Sequence, residues 1–279
     1  MNDLSKSNTE GSRLLQIIKT YKPFEYADII AEEKSSFLME QLSDLRSNLI
    51  SWLSIKEGDC ILEIGSAYGI ITSYLLSCGA QVTCIEEDEE KIEISKSRMK
   101  QTGINDSFVK WYRNISQLQR VETQGKYRFV FILEPVAENE EQLVQLLLEA
   151  KSRLTTDGEI IFVTDNVYGL KYWAGCKDPY TNDFYKGLEG YTEYTGPRAF
   201  SKEQIKRAIQ KAEIAWADFY YPYPDRQFPM QIFSDERMPK EGELTNNFRN
   251  FDEERMIVFD ESRVYDPLIA DGMFSDFSN

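Results

Sequence analysis

Two short stretches hold the residues best suited to chemistry: ILEIGSAYG, from Ile61 to Gly69, and CIEEDEE, from Cys84 to Glu90. A strand that ends in an acid, turns through glycines and opens a helix brings backbone N–H groups close to a ligand at the carboxyl edge of a sheet. Glu86, at the tip of the next strand, is placed to accept hydrogen bonds from both hydroxyls of a ribose. The glycine spacing separates two ligand classes. Dinucleotide sites favour G-x-G-x-x-G, whereas Gly65 and Gly69 form E-x-G-x-x-x-G behind Glu63. A carboxylate at that position repels a diphosphate and attracts an ammonium group such as that of a methionine moiety. Asp88, Glu89 and Glu90 need no ligand, because the first turn of a helix favours negative charge. A purely structural strand-turn-helix stays open as the alternative for the whole constellation.

The elements that must position these residues follow one pattern. Short apolar runs (CILEIG, QVTCIE, SFVKWY, YRFVFIL and EIIFVT) alternate with helical spacings at Gly69 to Cys78, at Asp88 to Gln101, and at Leu143, Leu146, Leu147, Ala150 and Leu154. Alternation of this kind predicts an α/β, Rossmann-like, doubly wound and mostly parallel sheet with helices on both faces. The first dozen residues are polar and are expected to be mobile. The rest of a helical N-terminal extension, residues 1–54, carries Leu14, Ile17, Ile18 and Tyr21, then a proposed stripe of Leu42, Leu45, Leu49 and Leu53. The core spans residues 55–221 and includes an aromatic-rich cap inserted at 166–198. Ser201 and Gln204 form a capping box that opens a helix to about Glu213. WADFYY reads as one more strand, and the proline-rich chain from 222 to 279 as an extended surface segment. All of it is expected to form a single domain, residues 1–279.

Composition narrows the function. Hydrophobic residues at 42% and aromatics at 13% suit a globular chain with a substantial core. The sequence has no histidine, which removes the usual general base near neutral pH and the commonest zinc ligand. Cys60, Cys78, Cys84 and Cys176 lack CxxC spacing, so no metal site is expected, and a reducing, cytoplasmic setting fits best. A net charge of −15 repels phosphate backbones and argues against a nucleic-acid partner. No run approaches the roughly 18 apolar residues of a membrane span, so no integral membrane segment is expected.

With these motifs the sequence resembles the class I S-adenosylmethionine-dependent methyltransferases, over roughly Leu42 to Tyr221. The resemblance implies S-adenosylmethionine as cofactor. It places Glu63, Gly65, Ser66, Ala67, Tyr68 and Gly69 at the methionine end, Glu86 on the ribose, Glu87 on the adenine side, and Asn114 and Ile115 beside the adenine ring. Two positions depart from the family's habit: Ala67 stands where glycine is usual, and Asn114 where aspartate is common. The extra methyl of Ala67 crowds a ligand's approach, which gives a noncatalytic scaffold some support.

LSDLRSNLISWL, DNVYGLKYWAG, the FSKEQ helix and FDESRVYDPLIADGMFSDFSN also resemble a bacterial methyltransferase group associated with glycosyltransferases in cell-surface polysaccharide biosynthesis. That likeness implies a small-molecule or glycan acceptor and a glycosyltransferase as partner or fused domain. It also implies that the chain stops at Asn279 ahead of a final strand.

Methyl transfer from a sulfonium asks mainly for positioning and exclusion of water. For a hydroxyl acceptor a carboxylate base would help. Asp165, at the end of the fifth strand, and Glu134, at the tip of the fourth, are the candidate catalytic residues; for Asp165, capping of the following loop is the competing reading. Tyr168, Tyr172, Trp173, Tyr180, Phe184, Tyr185, Tyr191 and Tyr194 would form either a lid over a sugar or a small satellite core. A nitrogen acceptor on an amino sugar or small metabolite is the enzymatic alternative.

Overall fold

The computed structural model describes residues 3–121, 126–133, 137–244 and 255–279. The chain divides into two compact units, one of residues 1–134 and 152–163, the other of 135–151 and 164–279.

The first unit is built on β1 (Cys60–Ile64), β2 (Gln81–Ile85), β3 (Val109–Tyr112), β4 (Tyr127–Ile132) and β5 (Leu154–Phe162). All are parallel, in the order β3-β2-β1-β4-β5, so the order reverses at β1. Ligands of open α/β sheets bind outside the carboxyl ends of the strands at such a reversal. Helices surround the sheet. Ile61, Val82, Cys84, Phe129 and Phe131 form one core with Ile71, Leu75 and Leu76 of α4 (Ile70–Ser77) and Met99 of α5 (Glu89–Thr102); in the chain's numbering these two follow α1 to α3. Each large side chain buried this way stabilises the fold by about 1.5–3 kcal/mol. The expected helix from Gly69 and the expected strand ends are in place within one or two residues. Leu154 is an exception, because it opens β5 instead of continuing the helix before it.

The N-terminal layer comprises α1 (Asp3–Thr20), α2 (Tyr26–Glu33) and α3 (Ser36–Leu42), followed by a 3₁₀ segment at Asp44–Leu49. Leu14, Ile17, Ile18, Tyr26, Ile29, Leu38 and Leu42 pack with Ile94 of α5. The helix α1 takes in the polar start from Asp3. One expectation is corrected here. The stripe of Leu42, Leu45, Leu49 and Leu53 does not form. Ser43 accepts the Leu45 N–H and diverts the chain, leaving Leu45 at 40% exposure.

In the same unit α6 (Ile115–Val121) follows β3. The second unit holds most of α7 (Glu140–Arg153), then α8 (Leu170–Trp173) and α9 (Lys202–Lys211). The expected capping box opens α9: Ser201 Oγ accepts the Gln204 N–H and Gln204 Oε1 accepts the Ser201 N–H. Arg207 and Lys211 of α9 both donate to the Glu140 carboxylate of α7. Only the end of WADFYY is a strand: β6 (Tyr220–Tyr223) pairs antiparallel with β7 (Gln231–Ser234) in a separate two-stranded sheet. Pro222 is tolerated because neither strand lies in a sheet interior.

The described residues of 222–244 and 255–279 do not simply run over the surface. With α10 (Tyr265–Ala270) and α11 (Phe274–Phe277) they make a core of Tyr221, Tyr223, Phe233, Tyr265 and Phe274. Tyr223 meets Tyr265 edge-on at 5.4 Å, and Phe233 meets Phe274 at 5.9 Å. Aromatic rings supply a large buried area from few residues, so short segments with no regular period can still build this core. No helix among the described residues is long and apolar enough to cross a membrane.

Candidate functional site

Each residue of the glycine turn has a fixed role. Gly65 leaves β1 with φ of +79° and donates its N–H to Ile85 O at 3.1 Å, tying the turn to the end of β2. Gly69 caps α4 with φ of +78°, and a Cβ there would lie 2.6 Å from Ser95 Oγ and 3.0 Å from Ser95 Cα. Only glycine fits both constraints. Ala67 also adopts the left-handed region, φ +46°, and its N–H reaches Glu86 Oε2 at 3.0 Å. Glu86 Oε1 accepts the Asp88 N–H at 3.1 Å, and the Glu86 N–H bonds to Tyr112 O. The Glu86 carboxylate is thus held at the tip of β2 by the backbone on both sides of it.

Glu63 projects from β1 and is fully buried. Thr72 of α4 donates to its Oε2 at 2.6 Å, and the Cys84 thiol approaches the same oxygen at 3.6 Å. Glu63 Oε1 is buried with no hydrogen-bond partner among the described residues. Burial raises the Glu63 carboxyl to about 7, against the opposing bonds from Thr72 and Cys84, and the nearby charge of Glu86 adds to the rise. Burial likewise pushes the Cys84 thiol up. An orphaned, buried carboxylate oxygen of this kind suits a cationic group brought by a ligand.

The remaining expected residues of this unit take separate places. Ser66 is buried, whereas Tyr68 and Ile115 are half-buried and Glu87 is exposed. Asn114 caps α6: its Oδ1 accepts the Gln117 N–H at 3.0 Å, while Gln117 Oε1 accepts the Arg113 N–H. An amide performs that capping as well as an acid would. Asp88 caps α5 through Oδ1, which accounts for the acidic run without a ligand. Glu134 lies outside the described residues.

In the second unit Asp165 is buried beside two cations. Arg226 donates to its Oδ2 through Nε at 2.9 Å and approaches it with Nη2 at 2.8 Å, and Lys171 Nζ lies 3.5 Å from Oδ1. Burial alone would raise this carboxyl, but the charges of Arg226 and Lys171 outweigh it and hold it well below the usual carboxylate range. Of the cap aromatics, Tyr191 with half-buried Tyr180 and Tyr194 packs in a small core with Val167 and Ala199, and Tyr172 is buried. Tyr168 and Trp173 remain 46% and 43% exposed. The cap therefore contains both a satellite core and an exposed aromatic pair.

The family described as methyltransferase small domain matches residues 31–173, just over half of the chain. The chain belongs to this family. The chain is 34% identical over 86 residues to a chloroplastic ribosomal RNA small subunit methyltransferase of Arabidopsis thaliana, covering 29% of this chain and 25% of that one. It is 26% identical over 205 residues to a ubiquinone biosynthesis O-methyltransferase of Rickettsia conorii, covering 67% of each. A solved S-adenosylmethionine-dependent methyltransferase of Methanosarcina mazei is similar with a TM-score of 0.46 at 15% identity, over 63% of this chain and 90% of that one. The chain thus spans a quarter of the length of the Arabidopsis relative and two thirds of the Rickettsia one.

S-adenosylmethionine is the cofactor of the class, and the residues present fit it. Glu63 offers an unpartnered oxygen to an ammonium group, Glu86 a fixed carboxylate to a ribose, and the turn between them backbone groups at close range. Sequence reasoning missed Thr72 and Cys84, which hold Glu63, and Ser95 and Arg98 of α5. Polar residues on the inward face of an otherwise amphipathic helix were the available signal for the last two.

Proposed function

We propose that this methyltransferase transfers a methyl group to an oxygen of a small-molecule or glycan acceptor, with a sugar hydroxyl in bacterial surface polysaccharide biosynthesis as the specific reading. The observation that carries the cofactor half is the pair of acids at the ends of the glycine turn, one buried with an orphaned oxygen and one held by two backbone N–H groups. When bound, S-adenosylmethionine supplies an activated methyl on a sulfonium. The chain's own residues then have to hold the acceptor oxygen in line and exclude water.

An oxygen acceptor is supported by the Rickettsia relative, named as an O-methyltransferase. A sugar is supported by exposed Tyr168 and Trp173, whose ring faces can pack on C–H surfaces. The negative net charge favours a small acceptor over a nucleic acid. Asp165 and Glu134 are the proposed takers of the acceptor proton, and the pairing of Asp165 with Arg226 and Lys171 lowers its basicity. A cytoplasmic setting beside a glycosyltransferase completes the reading.

Calorimetry with S-adenosylhomocysteine tests the first half: micromolar binding is expected, and a folded sample that binds none would remove the cofactor assignment. Incubation with S-adenosylmethionine and a panel of nucleotide-linked sugars tests the second. Methyl on oxygen is expected; methyl found only on amino-sugar nitrogen would replace the acceptor reading. Glu86→Ala should weaken binding of S-adenosylhomocysteine by more than about tenfold, the loss of hydrogen bonds to a charged group. Unchanged affinity would withdraw Glu86 from ribose recognition.

A further inference from the structure

We infer that Ser95 and Arg98 are positioning residues for the cofactor turn, acting by anchoring two successive carbonyls of it. This rests on the cofactor reading given above. Ser95 Oγ lies 3.2 Å from Ala67 O and 2.8 Å from Lys91 O of its own helix, so its one proton is shared between the turn and α5, and Arg98 Nε donates to Tyr68 O at 3.2 Å. The two side chains stand three residues apart on α5, which places them on one face of the helix. Carbonyl and N–H of a trans peptide point in opposite directions, so fixing Ala67 O against α5 directs the Tyr68 N–H to the far side of the turn.

Three features make this anchoring more than ordinary packing. Ser95 is fully buried and Arg98 is 7% exposed, so neither is a solvated surface group that happens to reach the backbone. Arg98 spends a buried guanidinium on carbonyls, with Nη2 donating to Gln41 O of α3 at 2.8 Å, while the charge of Asp44 favours its protonated form from nearby. Burying a cation is costly unless hydrogen bonds and counter-charge offset the lost hydration, and here two of those hydrogen bonds go to backbone carbonyls. The close approach of Gly69 to Ser95 also means that α5 and the turn are fitted to each other at both ends of the segment. The Tyr68 ring extends the connection, lying edge-on to Phe37 of α3 at 5.2 Å. Through Arg98 and Tyr68 the turn is braced by the N-terminal layer.

The test compares Ser95→Ala, Arg98→Met and Arg98→Lys with Gln101→Ala. Gln101 also ties α5 to the N-terminal layer, donating to Ile18 O at 2.6 Å and accepting from Tyr26 at 2.6 Å, but it does not touch the turn. Two quantities are read: binding of S-adenosylhomocysteine by calorimetry, and hydrogen exchange of amides 65–69 in the cofactor-free chain. Ser95→Ala and Arg98→Met should each weaken binding about fivefold to tenfold, as expected for one buried hydrogen bond, and speed exchange of the turn by a similar factor. Arg98→Lys should recover part of both. Gln101→Ala should lower the melting temperature with binding and turn exchange unchanged.

Equal losses of binding in Gln101→Ala and Arg98→Met at equal cost in stability would overturn the assignment, because the effect would then follow stability alone. Wild-type exchange rates in a folded Ser95→Ala variant would overturn it as well. If the wild-type chain binds no S-adenosylhomocysteine, the cofactor reading fails first; the exchange measurement then decides the anchoring by itself, with slow turn amides in the wild type and fast ones in Ser95→Ala still supporting it.

Discussion

Replacing Glu63 with glutamine is expected to abolish a pH dependence of stability and to weaken cofactor binding at the same time. In the folded chain the Glu63 carboxyl is raised from 4.5 to about 7. Between those two values the folded state keeps a proton that the unfolded state has released. Stability from this group is therefore complete below about pH 4.5 and is lost as pH rises through about 7, above which a buried negative charge must be carried. Converted by 2.303RT, the difference is on the order of 3 kcal/mol. Urea unfolding of the wild type at pH 5, 6, 7 and 8 should show that decline on top of any shared trend, and Glu63→Gln should lack it. Parallel pH profiles for the two proteins would show that Glu63 titrates normally and is not the buried acid described here.

The same group gives a second readout in binding. An ammonium brought to Glu63 Oε1 favours the ionised form, so below about pH 7 binding must expel a proton. Affinity for S-adenosylmethionine should fall by up to about tenfold for each pH unit below that point. Glu63→Gln should bind weakly at every pH with no such slope. A wild-type affinity that is flat from pH 5 to 8 would mean that the ammonium lies elsewhere.

Asp165→Asn is expected to cost the most stability of any single substitution in the second unit, about 3–5 kcal/mol, because it strands buried cationic groups without their counter-charge. Lys171 is 1% exposed and sits with Arg226 against the carboxylate. Since the Asp165 carboxyl is depressed in the folded chain, its contribution is present above the unfolded value near 3.8 and is lost as the solution is made more acidic than that. Thermal and urea unfolding at pH 7 measure the loss. A variant as stable as the wild type would show that the cluster contributes little. A stable variant that binds cofactor normally but turns over slowly would instead favour Asp165 as the base.

Much of the first unit was legible because parallel strands covered on both sides read as apolar runs, and the helices between them repeat with a period near 3.6. Glu63, Gly65, Gly69 and Glu86 stood out because each breaks a local rule: an acid in a core strand, glycines at a helix start, an acid at a strand tip. Ser95 and Arg98 did not, since a serine and an arginine on a helix are unremarkable until the backbone they meet is known. The stripe through Leu45 failed because one serine hydroxyl redirected the chain, an event with no periodic signature. The aromatic core around Tyr265 and Phe274 was hidden for a related reason: its members come from segments too short to show a period, and their partners are remote in sequence.

The family match begins at residue 31, inside α2, whereas α1 has already placed Leu14, Ile17 and Ile18 against Ile94 of α5. Shared ancestry and folding competence therefore have different boundaries in this chain. A version trimmed to the matched residues would keep every residue of the glycine turn and yet expose the apolar back of the helix that steadies it. Such a fragment should be harder to keep in solution than its intact glycine signature would suggest.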